Sequence, residues 1–299
     1  RKRFGIDTFC ASFPGTGHDE APFARHVARH LCTRHHEISI SMEPTRLLED
    51  AVGFMDEPFA DSSALPTFAV CRAARDIAKV VLSGDGGDEV FGGYTGRYRV
   101  AALKASVPRP QCLAGMLRRL PPWRNGRRSS TPKMLDLAGL SEIDRFFAER
   151  QITTPGERAL LMGETASGKW ELELRRVAEA AISNIPFSHP IHRALWFDIR
   201  TSLPDDMLTK IDRMSMAHGL EVRVPLLDHH LVEFAMSLSP GWLVSPLPVE
   251  GKRLLRDAVR PLLPPGVLNR YKQGFVIPLN RWLRDGLLAR FDERCLSSN

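Results

Sequence analysis

The chain has 299 residues, of which 43% are hydrophobic and 25% charged, and its formal net charge is +6 at pH 7. It is long enough to bury a sizeable core in one large domain or two smaller ones, and no apolar run approaches the roughly 20 residues that a transmembrane helix needs. The N-terminal residues also lack the apolar stretch of a secretory signal. These features exclude a membrane protein and favour a soluble, cytoplasmic one.

Strands and helices alternate through the first 107 residues. The apolar spacing predicts, in chain order, a strand over 5–13, a helix over 21–32, a strand over 35–40, a helix that Thr45 caps, a helix over 66–77 and a strand over 79–83. The last of these strands has few polar residues, which is typical of a strand covered on both faces. This order predicts right-handed crossovers and a parallel sheet, and therefore an α/β part over residues 1–107.

A different composition begins near residue 108. Residues 108–132 are rich in Pro, Gly and Arg, which predicts a flexible connection. Residues 133–299 show helix-like apolar spacing over 141–149, 171–182, 191–202, 205–218, 229–238 and 252–263. The sequence therefore predicts that a mainly helical part follows the connection.

Zinc, disulfide and nucleic-acid sites find little support in the sequence. The five cysteines are scattered singly, at Cys10, Cys32, Cys71, Cys112 and Cys295, and neither pair of adjacent histidines has a third zinc ligand nearby. The basic stretch 118–128 is interrupted by prolines and holds one aromatic residue, so we interpret it as a solvated loop and expect no nucleic-acid partner. The mildly basic charge balance favours a small anionic ligand such as a nucleotide.

The most informative segment is SGDGGDEVFGGY, from Ser83 to Tyr94, which follows the predicted buried strand directly. Glycine fills no volume and costs conformational entropy, so five glycines in twelve residues indicate that something approaches this backbone closely. Ligands of open parallel sheets bind beyond the carboxyl ends of strands, where glycine N–H groups can hold an anion and short carboxylates a hard cation. The segment predicts a seat for Mg²⁺ and a nucleotide. The alternative is an acidic turn that caps a helix beginning near Val90.

Three separate stretches resemble the synthetase domain of glutamine-dependent asparagine synthetases, a family that includes β-lactam synthetases. They are the glycine-rich segment, the upstream DEPFADSS of residues 56–63 and the downstream LTKIDRMSMAHGLEVRVPLLDHHLVEFA of residues 208–235. The resemblance covers nearly the whole chain. It implies a pyrophosphatase-type ATP-binding α/β fold, similar to the adenine nucleotide alpha-hydrolases, followed by helices. It also implies that ATP adenylates a carboxylate before ammonia attacks it.

The same resemblance implies roles for residues of the predicted α/β part. Asp88 matches a magnesium ligand, while Ser83 and Gly84 match backbone positions that touch ATP. Asp85 stands where an acidic or phenolic group faces the reacting carbonyl, and a carboxylate kept ionised beside a metal ion could accept a proton from ammonia. Ala11, at the end of the first predicted strand, matches a position whose backbone contacts adenine.

Further candidate residues lie outside the glycine-rich segment. Lys272 resembles a lysine near the reacting phosphate, where a cation stabilises developing negative charge; the alternative is a lysine in solvent. Lys210, Asp212 and Arg213 are candidate substrate contacts, with structural ion pairing as the alternative. Asp61 either reaches the phosphates or the substrate, or caps a helix.

The sequence spacing of Lys210 and Arg213 relates these two candidates to each other and to Asp206. Asp206, Lys210 and Arg213 fall at i, i+4 and i+7, which predicts that they share one helical face. We interpret Glu221 and Arg223 as structural residues that organise the following turn.

Two features of the resembled family do not occur in this sequence. They are the Ser-Gly-Gly-x-Asp-Ser loop, which wraps the pyrophosphate and supplies a second magnesium ligand, and the N-terminal glutaminase domain that generates ammonia. Because residue 1 is Arg rather than Met, we expect a fragment that binds ATP weakly and forms no product alone. Loss of one strand is expected to leave an unpaired edge and an exposed apolar face, which favours a homodimer.

The expected function is synthesis of asparagine from aspartate, ATP and ammonia, with Mg²⁺ as cofactor and small molecules as the only partners besides a glutaminase domain. Nothing in the chain identifies aspartate by itself, so a carboxylate on a saccharide or ring closure to a β-lactam remains open. A catalytically silent nucleotide-binding module is a further alternative. The presence of Asp85, Asp88 and Lys272 together argues against it.

Overall fold

A computed structural model describes residues 5–17, 19–40, 44–107, 109–118, 131–151, 153–246, 249–269, 274–275 and 277–296. The strands are β1 (Asp7–Ser12), β2 (Arg34–Ser39), β3 (Val80–Leu82), β4 (Glu221–Arg223), β5 (Ser245–Pro246) and β6 (Val249–Glu250). The helices are α1 (Ala21–Leu31), α2 (Pro44–Val52), α3 (Ala64–Arg75), α4 (Gly87–Phe91), α5 (Thr95–Ser106), α6 (Pro110–Arg118), α7 (Thr131–Gly139), α8 (Glu142–Arg150), α9 (Pro155–Met162), α10 (Glu164–Ser183), α11 (Pro190–Arg200), α12 (Thr209–Met216), α13 (His229–Ser237), α14 (Pro240–Leu243), α15 (Arg253–Val259), α16 (Leu279–Trp282) and α17 (Leu288–Phe291). Shorter 3₁₀ and π-helical turns connect several of them.

The chain forms two compact units, each assembled from stretches that are separate in sequence. Unit 1 comprises Arg1–Gly84, Asp205–Pro225 and Arg256–Asn299, and unit 2 comprises Asp85–Pro204 and Leu226–Leu255. The first change from one unit to the other falls inside the glycine-rich segment, between Gly84 and Asp85. The three-part division at residues 107 and 132 stays a prediction from sequence.

Unit 1 contains the parallel strand pairs, which confirms an α/β architecture. Strand β1 pairs with β2 in a register that runs from Asp7 opposite Arg34 to Ser12 opposite Ser39, and β3 pairs with β4. Helices α1 and α3 pack against β1. The core of unit 1 is formed by buried residues at the ends of β1 and β2, on α2, α3 and α12 and in the C-terminal stretch, namely Ala11, Phe13, Ile40, Leu47, Ala51, Ala64, Leu65, Phe68, Ala69, Met214, Ile277 and Trp282.

The prediction that β3 is covered on both faces is wrong. Residues Val80 and Leu82 are 42% and 72% exposed. Within the part of the chain that the structure describes, β3 is three residues long and pairs with β4 alone. Apolar composition reports what a strand can bury, whereas the number of neighbouring elements decides what it does bury.

Unit 2 is helical around α5 and α11. Its core consists of Val90, Phe91, Tyr98, Ala101, Ala102, Phe146, Ala178, Ile191, Ala194, Leu195, Phe197, Ala235, Met236, Leu243 and Val244. Helix α11 lies against both α4 and α5. The order of elements after residue 133 is mainly helical, as predicted. The packing of α11 supports the short helix α4 within the glycine-rich segment.

Two predicted boundaries differ from the structure. Part of the predicted flexible connection, residues 110–118, is helix α6, while residues 119–130 lie outside the described part. The helix predicted over 205–218 is divided into a π-helical turn, Leu203–Leu208, and helix α12. Among the described helices, none combines the length and apolarity needed to cross a membrane.

The start of α11 makes the stability of unit 2 sensitive to acid. Nδ1 of His189 accepts a hydrogen bond from the Ile191 N–H at 3.2 Å and so caps the helix. This requires an unprotonated Nδ1, and burial lowers the pKa of His189 below its ordinary value of 6.5. Because the unfolded chain takes up the proton at a higher pH than the folded chain does, this contribution is present above about pH 6.5 and is lost as the pH falls.

We expect a His189→Asn variant to keep a cap without the titration, since asparagine also accepts at this position. Urea unfolding of both proteins at pH 7.5 and pH 5.5 measures the effect. Wild type should lose stability relative to His189→Asn at the lower pH. An equal stability difference at the two pH values would contradict the assignment.

Candidate functional site

The glycine-rich segment begins as an extension of the β3 and β4 pair. The Ser83 N–H donates to the Arg223 carbonyl at 2.9 Å, so the strand geometry continues one residue past β3. Gly84 follows with open space where a side chain would point. Gly86 then adopts a left-handed conformation with φ of 82° and starts helix α4. The backbone of Gly84 is therefore the accessible part of this turn.

Other positions of the segment require glycine because neighbouring side chains of the protein leave no room for a Cβ. A Cβ on Gly86 would overlap the Leu227 side chain, and a Cβ on Gly87 would lie 2.7 Å from Cδ1 of Leu226. A Cβ on Gly92 would overlap Val244. Side chains of unit 2 thus approach these glycines closely. The close approach to this backbone is therefore made by the protein's own side chains at these three positions and at Gly93, whose Cβ would overlap Asp88 and Lys252. A ligand stays the prediction for Gly84.

The stability of alanine variants should therefore distinguish a closely packed glycine from an open one. Gly86→Ala combines a left-handed backbone with a clash against Leu227, so we expect it to lower the free energy of unfolding by roughly 2 to 4 kcal/mol. Gly84→Ala meets nothing within 4 Å and should change stability by less than about 1 kcal/mol. Urea unfolding followed by circular dichroism measures both. Equal effects of the two substitutions would contradict this account of the turn.

Helix α4 presents Asp88 beside a lysine that the sequence analysis did not single out. Nζ of Lys252 lies 3.2 Å from Oδ1 of Asp88, and both side chains are partly exposed. The Lys252 N–H donates to the Phe91 carbonyl at 3.0 Å, and the Lys252 backbone is left-handed, with φ of 54°. A left-handed conformation is uncommon for a residue with a side chain and marks positions held by their surroundings.

The loop that carries Lys252 is fitted closely to the end of α4. A Cβ on Gly251 would overlap the Gly92 carbonyl, and a Cβ on Gly93 would overlap both Asp88 and Lys252. Glycines at 92, 93 and 251 therefore allow the two backbones to approach. The sequence offered one signal for this lysine, the Gly251-Lys252 pair, but it lies about 160 residues from Asp88 and only folding joins them.

The residues around Asp88 suit a magnesium–nucleotide complex better than a bare ion. Mg²⁺ is commonly held by one or two carboxylates together with substrate phosphates and water. Among the residues that the structure describes, no three or more His, Cys, Asp or Glu side chains are grouped to hold a metal. Asp88 offers one carboxylate, and the neighbouring Lys252 ammonium suits phosphate oxygens. This donor set fits Mg²⁺ that arrives with its nucleotide.

A second cluster, in unit 1, joins Asp61, Ser63 and Lys210. Nζ of Lys210 donates to Oδ2 of Asp61 at 2.6 Å and to Oγ of Ser63 at 2.9 Å. The N–H and the hydroxyl of Ser63 each donate to Asp61 at 2.8 Å, just before helix α3 begins. Burial raises the pKa of Asp61, but the hydrogen bonds from Lys210 and Ser63 outweigh it, so the pKa of this carboxyl lies below its usual value. The lysine of α12 therefore ties this helix to the start of α3.

The remaining predicted site residues of unit 1 do not share the environment of Lys210. Lys210 is buried, whereas Asp212 and Arg213 are exposed, and Arg213 forms an ion pair with Asp56. The predicted common face of Asp206, Lys210 and Arg213 is therefore split between interior and surface. The π-helical turn Leu203–Leu208 contains Asp206 and shifts its angular position, while Lys210 and Arg213 both lie on α12, about 60° apart around its axis.

Two nucleotide candidates remain to be placed. Ala11 is buried near the end of β1, with Ile38 as its partner on β2. Lys272 lies outside the described residues, so its predicted role beside the phosphate stays a prediction.

A model of the asparagine synthase family matches residues 2–299. The chain belongs to the asparagine synthase family. A Mycobacterium bovis protein, provisionally named a glutamine-hydrolysing asparagine synthetase, is 32% identical over 95% of this chain and 43% of its own length. Asparagine synthetase 1 of Bacillus subtilis, also named glutamine-hydrolysing, is 30% identical over 94% of this chain and 44% of its own. A Gibberella zeae protein named amidase chry2 is 24% identical over 95% of this chain and 45% of its own.

Membership of the asparagine synthase family confirms the resemblance drawn from the three sequence stretches. The chain spans less than half the length of these relatives.

Proposed function

We propose that the full-length protein containing this chain is an ATP-dependent amide synthetase. In the proposed reaction, a carboxylate, most simply the side chain of aspartate, attacks the α-phosphorus of ATP and releases pyrophosphate. Ammonia from glutamine then attacks the acyl-adenylate to give the amide, here asparagine, and AMP. The proposal includes a pyrophosphatase-type ATP-binding fold for the α/β part.

The observation that carries this proposal is the pairing of Asp88 with Lys252 directly after an accessible glycine turn. Asp88 lies on α4, and Nζ of Lys252 is 3.2 Å from its Oδ1. A carboxylate and an ammonium side by side match the two needs of a magnesium–triphosphate complex, a metal ligand and a phosphate partner. Together with the family match over residues 2–299, this pair supports nucleotide chemistry over a silent module.

Asp88 is the proposed magnesium ligand, and Lys252 the proposed partner of phosphate oxygens. Mg²⁺, when bound, would neutralise charge on the phosphates. Lys252 can follow charge that shifts onto the departing pyrophosphate, because its ammonium carries three rotatable donors on a flexible stem. Ser83, Gly84 and Ala11 are the proposed backbone contacts of the nucleotide, and the open space at Gly84 leaves room for such an approach.

Asp85 and Lys272 are the proposed catalytic residues for the second step. Attack of ammonia on the carbonyl carbon forms the C–N bond, and the bond from that carbon to the AMP oxygen breaks. The nitrogen must lose a proton, which the Asp85 carboxylate would accept. Lys272 would stabilise negative charge on the tetrahedral carbon's oxygen and on the α-phosphate.

The acceptor site is the least defined part of the proposal. Lys210, Asp212 and Arg213 stay the proposed substrate contacts. Lys210 already holds Asp61 and Ser63, which supports an indirect role, while the exposed side chain of Arg213 is better able to reach a carboxylate.

A pyrophosphate-release assay on the full-length protein tests the proposed function. With ATP, Mg²⁺, glutamine and aspartate, we expect pyrophosphate, AMP and asparagine in equal amounts. Ammonium chloride in place of glutamine should also support the reaction, since the proposed second step uses free ammonia. Absence of pyrophosphate with aspartate and with every other acid tested would overturn the proposal.

A synthetase that amidates another carboxylate is the second candidate. The fungal relative carries the name amidase rather than asparagine synthetase, which supports more than one named activity among proteins similar to this chain. A panel that includes saccharide-linked carboxylates and precursors able to close a β-lactam ring distinguishes the two candidates. Pyrophosphate release with such an acid, and none with aspartate, would favour the second.

A further inference from the structure

Unit 2 contains a carboxylate with no solvent exposure that the proposed reaction does not use. Asp198 lies on α11 and is 0% exposed. Its Oδ2 accepts a hydrogen bond from the Tyr98 hydroxyl at 2.7 Å. Its Oδ1 accepts from Arg97 at 3.3 Å and from Nε of Arg150 at 3.1 Å. A buried carboxylate is costly unless it is paired and hydrogen-bonded, so this one holds its partners in defined positions.

One of these partners leads to the helix of Asp88. The guanidinium of Arg97 stacks over the Tyr94 ring at 4.8 Å while it donates to Asp198. The Tyr94 hydroxyl in turn donates to Oε1 of Glu89 at 2.6 Å. Glu89 is buried on α4, next to Asp88 in sequence. A continuous series of polar contacts therefore runs from Asp198 through Arg97 and Tyr94 to α4.

The orientation of α4 depends on its contacts with the surrounding protein, such as the hydrogen bond between Tyr94 and Glu89. A helix of five residues has little stability of its own, so the surrounding protein decides how it lies. The apolar side chains of Val90 and Phe91 are buried in the unit 2 core and set how deeply α4 sits. Adjacent residues on an α-helix point about 100° apart, so holding Glu89 inward turns Asp88 away from the core toward the partly exposed side of α4.

We propose that Asp198 is a positioning residue that orients α4, and with it Asp88, through Arg97, Tyr94 and Glu89. This role rests on the proposed function, since it assumes that Asp88 is a magnesium ligand. Asp198 touches neither substrate nor metal in this proposal. Its buried side chain fixes the guanidinium that packs on Tyr94, and the hydrogen bond of Tyr94 fixes Glu89.

Three variants of the full-length protein test this role. Asp198→Asn keeps the shape and removes the charge, Tyr98→Phe removes one hydrogen bond to Asp198, and Ser202→Ala removes a weaker contact at 3.4 Å as the matched control. Amide hydrogen exchange over residues 86–93 reports the order of α4. The Mg²⁺ concentration for half-maximal pyrophosphate release reports the alignment of Asp88. If Asp198→Asn does not fold, both measurements are made on Tyr98→Phe instead.

For Asp198→Asn we expect faster exchange confined to 86–93 and a roughly tenfold higher Mg²⁺ requirement, with the rate restored at excess Mg²⁺. Tyr98→Phe should also speed exchange over 86–93 and should raise the Mg²⁺ requirement about threefold. Ser202→Ala should resemble wild type. Exchange that rises alike throughout unit 2, unchanged exchange over 86–93, or a rate that excess Mg²⁺ does not restore would overturn the proposal. If wild type releases no pyrophosphate with any acid, the proposed function fails, and the exchange data alone decide whether Asp198 orders α4.

Discussion

Replacing Asp88 with asparagine in the full-length protein is expected to lower the rate of pyrophosphate release at least about a hundredfold. The amide keeps the size of the side chain but removes the charge that a magnesium ion needs, and it also removes the ion pair with Lys252. Both side chains are partly exposed, so the fold should be preserved. Initial rates at saturating aspartate, with circular dichroism to verify folding, measure the effect.

The matched control for this substitution is Asp257→Asn. Asp257 also forms an ion pair, with Arg260 at 2.9 Å, which is more exposed than that of Asp88, and it has no proposed part in the reaction. Its rate should equal that of wild type. Full activity of Asp88→Asn would refute the metal assignment, whatever the outcome for the control.

The second large effect concerns the stability of unit 1. Lys210→Met keeps the aliphatic length and removes the ammonium, which leaves the largely buried Asp61 without its cationic partner. Breaking a buried pair in this way costs about 3 kcal/mol, more than any ordinary surface substitution. We expect the free energy of unfolding to fall by that amount in urea titrations.

Arg213→Met provides the comparison on the same helix. Arg213 and Asp56 are 44% and 72% exposed, and exposed ion pairs contribute about 1 kcal/mol or less. The losses in free energy of unfolding caused by Lys210→Met and Arg213→Met should therefore differ by about 2 kcal/mol or more. Equal losses would show that burial of Lys210 does not govern the strength of its pairing.

Local patterns predicted about half of the described strands and helices. Helical spacing of apolar residues placed α1, α11 and α13 within two residues of their observed ends, because an amphipathic stripe is written in consecutive residues. Strands β1 and β2 were predicted from alternation and composition in the same way. Strand β4 was missed: Glu221–Arg223 is three residues long, and pairing with a distant strand, rather than any local periodicity, makes it a strand.

The candidate site was predicted in part. The glycine-rich segment drew attention to Asp85 and Asp88, and the sequence correctly indicated a close approach to its backbone. It did not reveal that Leu226, Leu227 and Val244 are what approaches most of these glycines. Lys252 escaped notice because a lone lysine in a loop carries no local signal of its partner.

By itself, the sequence determined the family, the alternation of strands and helices in the first third and the helical character of the rest, since these follow from composition and from spacing within short windows. Only the tertiary structure decided that Lys252 meets Asp88, that Lys210 is buried against Asp61 while Arg213 is exposed, and that Asp198 gathers two arginines and a tyrosine. Most of these pairings join residues about 100 or more positions apart, and the pairing of Arg150 with Asp198 spans 48 positions. They depend on packing of whole elements, which no short window of sequence contains.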